Sequence, residues 1–132
     1  MKTNEHIQKF LEKAKADEDV LAVLLFGSTA RKEKRPSSDV DLCLILEPRR
    51  KPYDNSILSH KRLEFMKDFS FDIQIFQQLP VYIRTRVLKD GHVLFVRDEE
   101  RLYEVALRTA QAFEDFKHIY YYYLQEVETD GS

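Results

Sequence analysis

The stretch VLAVLLF at 20–26 is apolar at all seven positions. Successive side chains of a strand point to opposite faces, so a run with no polar position needs cover on both. That one requirement makes a layered architecture, with helices packed on a sheet, the natural frame for the chain.

The flanking segments read accordingly. Residues 4–16 carry Ile7, Phe10, Leu11 and Ala14 on one helical stripe, with Thr3 or Asn4 as N-cap. DVDLCLIL at 39–46 is a second strand, EPRRKPYD at 47–54 a loop, and FDIQIF at 71–76 alternates like a third strand. Between them, 55–68 reads as a helix with Ile57, Leu58, Phe65 and Met66 inward and Asp54 or Asn55 capping. Pro80 suits the first residue of a helix that stops at Gly91, a C′ glycine. HVLFV at 92–96 is a short edge strand. From 98 to 127 one long helix is expected, with Leu102, Val105, Phe113, Phe116, Tyr120, Tyr123 and Val127 recurring every three or four residues and Thr109 filling one gap. The fold class is α/β or α+β: a small mixed sheet of three or four strands flanked by helices. The 132 residues form one domain, with a core at 20–96 and the long helix appended.

Composition narrows the function. Hydrophobic residues make up 43% and charged residues 33%, and the formal net charge is −2, so neither direct nucleic-acid binding nor membrane association is expected. Cys43 is the single cysteine, which excludes an internal disulfide and fits a reducing compartment. The charged N-terminus lacks the apolar segment of a signal peptide, and no apolar run approaches the ~20 residues that span a bilayer. A cytoplasmic location is expected.

The connector FGSTARKEKRPSSDVDL at 26–42 carries the chemistry. Asp39 and Asp41, two apart on a strand, project to one face, and carboxylates that close repel by roughly 4 kcal/mol at ~4 Å with an effective dielectric near 20. An all-oxygen site favours a hard ion, Mg²⁺ or Mn²⁺. Taken alone, two aspartates at a strand entrance are usually solvated. Asp72, opposite the apolar face of Phe71, Ile73 and Ile75, adds a third acid if its strand neighbours the first. Gly27-Ser28 offers backbone N–H groups and a hydroxyl to phosphate oxygens, though such a pair is ordinarily just a turn. Arg31, Lys32, Lys34 and Arg35 crowd the same connector.

A strand, Gly-Ser, ten residues, Asp-x-Asp opening an apolar strand, and a later strand-borne Asp together resemble the nucleotidyltransferase signature of the DNA polymerase β superfamily. GSTAR followed by SDVDL is most similar to the minimal nucleotidyltransferases, small prokaryotic proteins often encoded beside a HEPN-domain partner. The resemblance is strongest over 20–76 and extends through GHVLF at 91–95; Lys32 stands where many members carry glycine. It implies that Gly27, Ser28 and Arg31 hold the phosphates of a nucleoside triphosphate, most simply ATP. It implies also that Asp39, Asp41 and Asp72 hold Mg²⁺, with Asp72 helping to deprotonate an acceptor hydroxyl. The family analogy makes the acceptor a HEPN ribonuclease toxin and this chain its antitoxin. Two alternatives stand beside it. One is a small-molecule nucleotidyltransferase of the antibiotic-modifying kind, which generally has a larger second domain; the other is a binding module acting by contact alone.

The remaining residues have plainer readings. His6, His60, His92 and His118 are scattered singly, and Cys43 is a small core residue. The arginines of 84–86 line an exposed helix face. HIYYYYLQEV at 118–127 cannot turn four tyrosines to one core, because each residue rotates by about 100°. The helix end therefore overhangs or packs on another subunit, a homodimer mate or a different partner.

Overall fold

The computed structural model describes residues 2–26, 40–49 and 52–130. Helix α1 (Lys2–Ala16) leads into strand β1 (Val20–Phe26), and β2 (Asp41–Leu46) follows after the connector. Then come α2 (Asn55–Met66), β3 (Asp72–Ile75), a single 3₁₀ turn at 76–78, α3 (Val81–Asp90), β4 (His92–Val96) and α4 (Glu99–Asp130). The four strands form one sheet in the order β3-β2-β1-β4. β1 runs antiparallel to both neighbours, and β2 and β3 are parallel.

The sheet is covered on both faces, as the apolar run of β1 demands. On one face Phe10, Leu11 and Ala14 of α1 and Leu58 and Phe65 of α2 pack against Leu42, Leu44, Ile73 and Ile75. On the other, Val87 of α3 and Val105 of α4 meet Leu21, Leu24, Cys43 and Ile45. A register shift between Val20 and Ala22 breaks strict alternation in β1, so Val20 and Val23 share one face while Leu21, Ala22 and Leu24 share the other. Arg97 ties the layers together. Its guanidinium donates to the carbonyls of Val20 (2.9 Å), Ala14 (3.3 Å), Lys15 (2.9 Å) and Asp17 (3.0 Å), satisfying the open C-terminal end of α1.

Several expectations change in detail. α1 begins at Lys2, which places Thr3 and Asn4 inside its first turn rather than at its cap. Asp54 caps α2 by accepting from the Ser56 N–H at 3.2 Å. Of the four residues expected inward on α2, only Leu58 and Phe65 are buried; Ile57 and Met66 are 50% and 37% exposed. The reason is angular: Ile57 and Met66 lie about 100° and 80° to either side of the Leu58–Phe65 line, and only a narrow stripe touches the sheet. Arg62 shares that stripe and donates from Nε to the Ile73 carbonyl at 2.7 Å, covering the outer edge of β3. Pro80 is the N-cap of α3 rather than its first residue. Gly91 ends that helix with φ −75°, so it is no left-handed cap. What it supplies is space, since a Cβ there would stand 2.4 Å from the Val87 carbonyl oxygen.

α4 leaves the sheet after Thr109. Phe113 is still half-buried, but Phe116, Tyr120 and Tyr123 are exposed, so the predicted apolar stripe is a core stripe only in its first half. All four tyrosines at 120–123 are at least half exposed, and the helix end overhangs. Among the described residues no helix is long and apolar enough to cross a membrane.

Candidate active site

Asp41 opens β2 and Asp72 opens β3, and the parallel pairing makes them direct partners across the two strands. The Asp72 N–H donates to the Val40 carbonyl at 3.0 Å and fixes that register. Because Leu42, Leu44, Ile73 and Ile75 fill the α1/α2 layer, Asp41, Cys43, Asp72 and Gln74 project to the opposite face. Both carboxylates therefore stand at one end and on one face of the sheet. Neighbouring strands lie ~4.8 Å apart, and two charges about 5 Å apart repel by ~3 kcal/mol at an effective dielectric near 20. Asp41 is half-buried and Asp72 exposed. Among the described residues no lysine or arginine forms an ion pair with Asp72; its Oδ1 accepts from Gln74 Nε2 at 3.1 Å. Gln74 went unnoticed in the sequence, although its place two residues beyond Asp72 puts it on the same face.

Phe26, the last residue of β1, is the partner of Asp41 on the other flank, so the chain enters the Gly-Ser connector beside the acid pair. Gly27, Ser28, Arg31 and Asp39 lie outside the described residues. Among the described residues no three histidines, cysteines or acids gather into a metal-binding group. The two acids that are described fit a hard divalent cation in kind, with oxygen donors only.

A second group of acids lies at the turn between α1 and β1. Lys61 Nζ sits 2.8 Å from Asp17 Oδ2 and 3.3 Å from Asp19 Oδ2, and Arg49 reaches Asp19 at 2.6 Å. Burial alone would raise the Asp19 carboxyl, but the hydrogen bonds and charges of Lys61 and Arg49 outweigh it and hold it below the usual aspartate value. Burial likewise opposes the Lys61 charge, and the two aspartates overcome it and raise the ammonium. The cluster joins α2 to the α1–β1 turn.

The other candidates sort simply. Cys43 is fully buried, and burial pushes its thiol well up, as suits a core residue. The four histidines are exposed. Arg86 is exposed as expected, but Arg84 is not: it is half-buried, with its guanidinium 5.9 Å over the Phe76 ring. Its spacing of three from Val87 on α3 could have signalled that inward turn.

Comparison with known proteins gives the chain a class. Residues 5–100 match the family described as Polymerase beta, Nucleotidyltransferase, and the chain belongs to that family. A Methanocaldococcus jannaschii protein named as a protein adenylyltransferase is 32% identical over 78 residues, 58% of this chain and 56% of that protein. The match thus spans little more than half of that relative. In structure, the chain resembles one from a toxin–antitoxin crystal structure with AMP-PNP, with TM-score 0.66, 15% identity and coverage of 93% and 96% of the two chains. It also resembles a chain from a complex of tri-AMPylated Shewanella oneidensis HEPN toxin with MNT antitoxin, with TM-score 0.62, 14% identity and coverage of 96% and 98%. At those identities the likeness establishes the fold.

Proposed function

We propose that this chain is an adenylyltransferase that moves AMP from ATP to a hydroxyl of a HEPN-domain protein, acting as its antitoxin. The observation that carries the reading is the register of β2 on β3, which sets Asp41 directly beside Asp72 where β1 runs into the Gly-Ser connector. Carboxylate oxygens brought together on adjacent strands are the donor type that a hard divalent cation takes. The AMP-PNP and tri-AMPylated HEPN complexes of similar fold support the nucleotide and the acceptor.

In this reading Asp39, Asp41 and Asp72 hold Mg²⁺, which would supply charge neutralisation for the attacking and leaving oxygens. Gly27 and Ser28 hold the β- and γ-phosphates through backbone N–H groups and the hydroxyl, and Arg31 offsets their charge. Asp72, the more exposed of the described acids, takes the proton of the acceptor hydroxyl. The acceptor oxygen bonds to the α-phosphorus as the bond to the β-phosphate oxygen breaks, and pyrophosphate leaves. The exposed tyrosine-rich end of α4 offers a protein partner an aromatic surface outside the sheet.

Incubation with α-labelled ATP, Mg²⁺ and a HEPN-domain protein found as the product of an adjacent gene tests it. Label on the partner, lost with Asp72→Asn, is expected. A partner that is inhibited but unlabelled overturns transfer in favour of contact alone.

A further inference from the structure

The opposite end of the sheet holds a cavity of about 300 Å³. It lies between the segment after β2, the turn after β3, α3 and the middle of α4, and its wall includes Pro48, Arg49, Tyr53, Phe76, Arg84 and Arg108. Among the described residues three guanidinium groups line it and no carboxylate does. Arg49 stacks 4.5 Å over the Tyr53 ring and shares its charge with Asp19. Arg84 and Arg108 have no ion-pair partner among the described residues, and Arg84 Nε is buried without a hydrogen-bond acceptor. Buried donors left unpaired are uncommon, so the guanidinium of Arg84 is available to an acceptor that enters the cavity.

The other polar groups of the wall are already engaged. Tyr53 Oη donates to the Glu47 carbonyl at 2.7 Å, Gln77 Nε2 to the Leu46 carbonyl at 2.9 Å, and Thr109 Oγ1 to the Val105 carbonyl at 2.8 Å. What remains unspent is two positive charges and their forked N–H groups, on a floor of aromatic and proline surface. A phosphate monoester carries about −1.5 to −2 charges near neutral pH, which matches that pair, whereas a carboxylate carries one. Ligand pockets begin at about 300 Å³, so the cavity suits a compact molecule with one ring system.

We propose that this cavity binds a ring-bearing organic phosphate of about nucleoside-monophosphate size, held by Arg84 and Arg108 beside the Arg49–Tyr53 stack. The site is separate from the acid pair: β2 runs from Asp41 to Leu46, five steps of ~3.3 Å or about 16 Å, before the cavity begins. It therefore stands or falls independently of the reading of the other end.

Amide NMR titration of the full chain, without divalent metal, tests the assignment, with AMP, adenosine and inorganic phosphate as separate arms. AMP should shift the amides of Gln77, Arg108 and Thr109 saturably while leaving Asp41 and Asp72 unmoved. Adenosine and phosphate should each bind at least tenfold more weakly. Arg108→Gln, on an exposed position that the fold tolerates, should weaken AMP tenfold or more, and Arg84→Gln should do likewise. AMP shifts confined to the Phe26–Asp41–Asp72 end, affinity unchanged by Arg108→Gln, or phosphate binding as tightly as AMP would each overturn the proposal.

Discussion

Replacing Asp72 by Asn should move stability in opposite directions depending on what is bound. Without ligand, the change removes one of two carboxylates about 5 Å apart, whose repulsion is ~3 kcal/mol at an effective dielectric near 20. Asp72 is exposed, so water and salt leave roughly a third of that, ~1 kcal/mol. The asparagine keeps an oxygen for Gln74 Nε2, so the contact at 3.1 Å is not sacrificed. For a chain of this size ~1 kcal/mol corresponds to a rise of about 4 °C in Tm. With Mg²⁺ and ATP at a hundred times Kd, the native protein gains ~2.7 kcal/mol by mass action, and the variant loses most of that gain. Differential scanning fluorimetry at low ionic strength, with and without Mg²⁺-ATP, reads both. A variant that melts lower when free and keeps the full nucleotide shift would refute the argument, because neither the repulsion nor the shared cation would then exist.

Three further outcomes follow from the packing. Gly91→Ala places a Cβ 2.4 Å from the Val87 carbonyl, and the helix end must shift, at a cost of about 1–3 kcal/mol in urea unfolding. Asp19 has a lowered carboxyl, so its contribution is present above the ordinary value of 3.8 and lost as pH falls through the lowered one. Lys61 has a raised ammonium, so its contribution is present below 10.5 and lost as pH rises through the raised value. Lys61→Met should therefore reduce stability across the neutral range and converge with the native chain at both extremes of a pH–melting profile. Cys43, fully buried with its thiol pushed up, should react with a thiol reagent only at the rate of unfolding, and urea should accelerate that reaction in step with lost circular dichroism.

What the sequence disclosed depended on how narrowly each residue's surroundings were set by its neighbours in the chain. β1 was legible because seven apolar positions in a row admit little else. Asp72 was assigned to the face opposite Phe71, Ile73 and Ile75 by alternation alone, and the structure keeps it there. The partnership of Asp72 with Asp41 depends on β3 lying parallel beside β2, which local pattern does not give; the resemblance implies only that the aspartates share a metal. On α2 the pattern was too generous: Ile57 and Met66 are apolar, yet the sheet beneath reaches only the Leu58–Phe65 line. On α4 the period of three and four continues after the sheet has ended, so Tyr120 and Tyr123 kept the rhythm of a core without a core to meet. Arg84 and Arg97 were hidden for a different reason. Each takes its role from segments remote in the chain, Phe76 and the cavity for one, and the end of α1 for the other.

In the proposed function a divalent ion and nucleotide bind at the sheet end that carries Asp41 and Asp72. Paramagnetic Mn²⁺, added with ATP to the uniformly labelled chain, reports proximity directly through loss of amide signals. Phe26, Asp41, Leu42, Asp72 and Ile73 should disappear first, while Arg108 and Thr109 at the far end persist. Signals lost first around Asp17, Asp19 and Glu64, with Asp41 and Asp72 untouched, would contradict it.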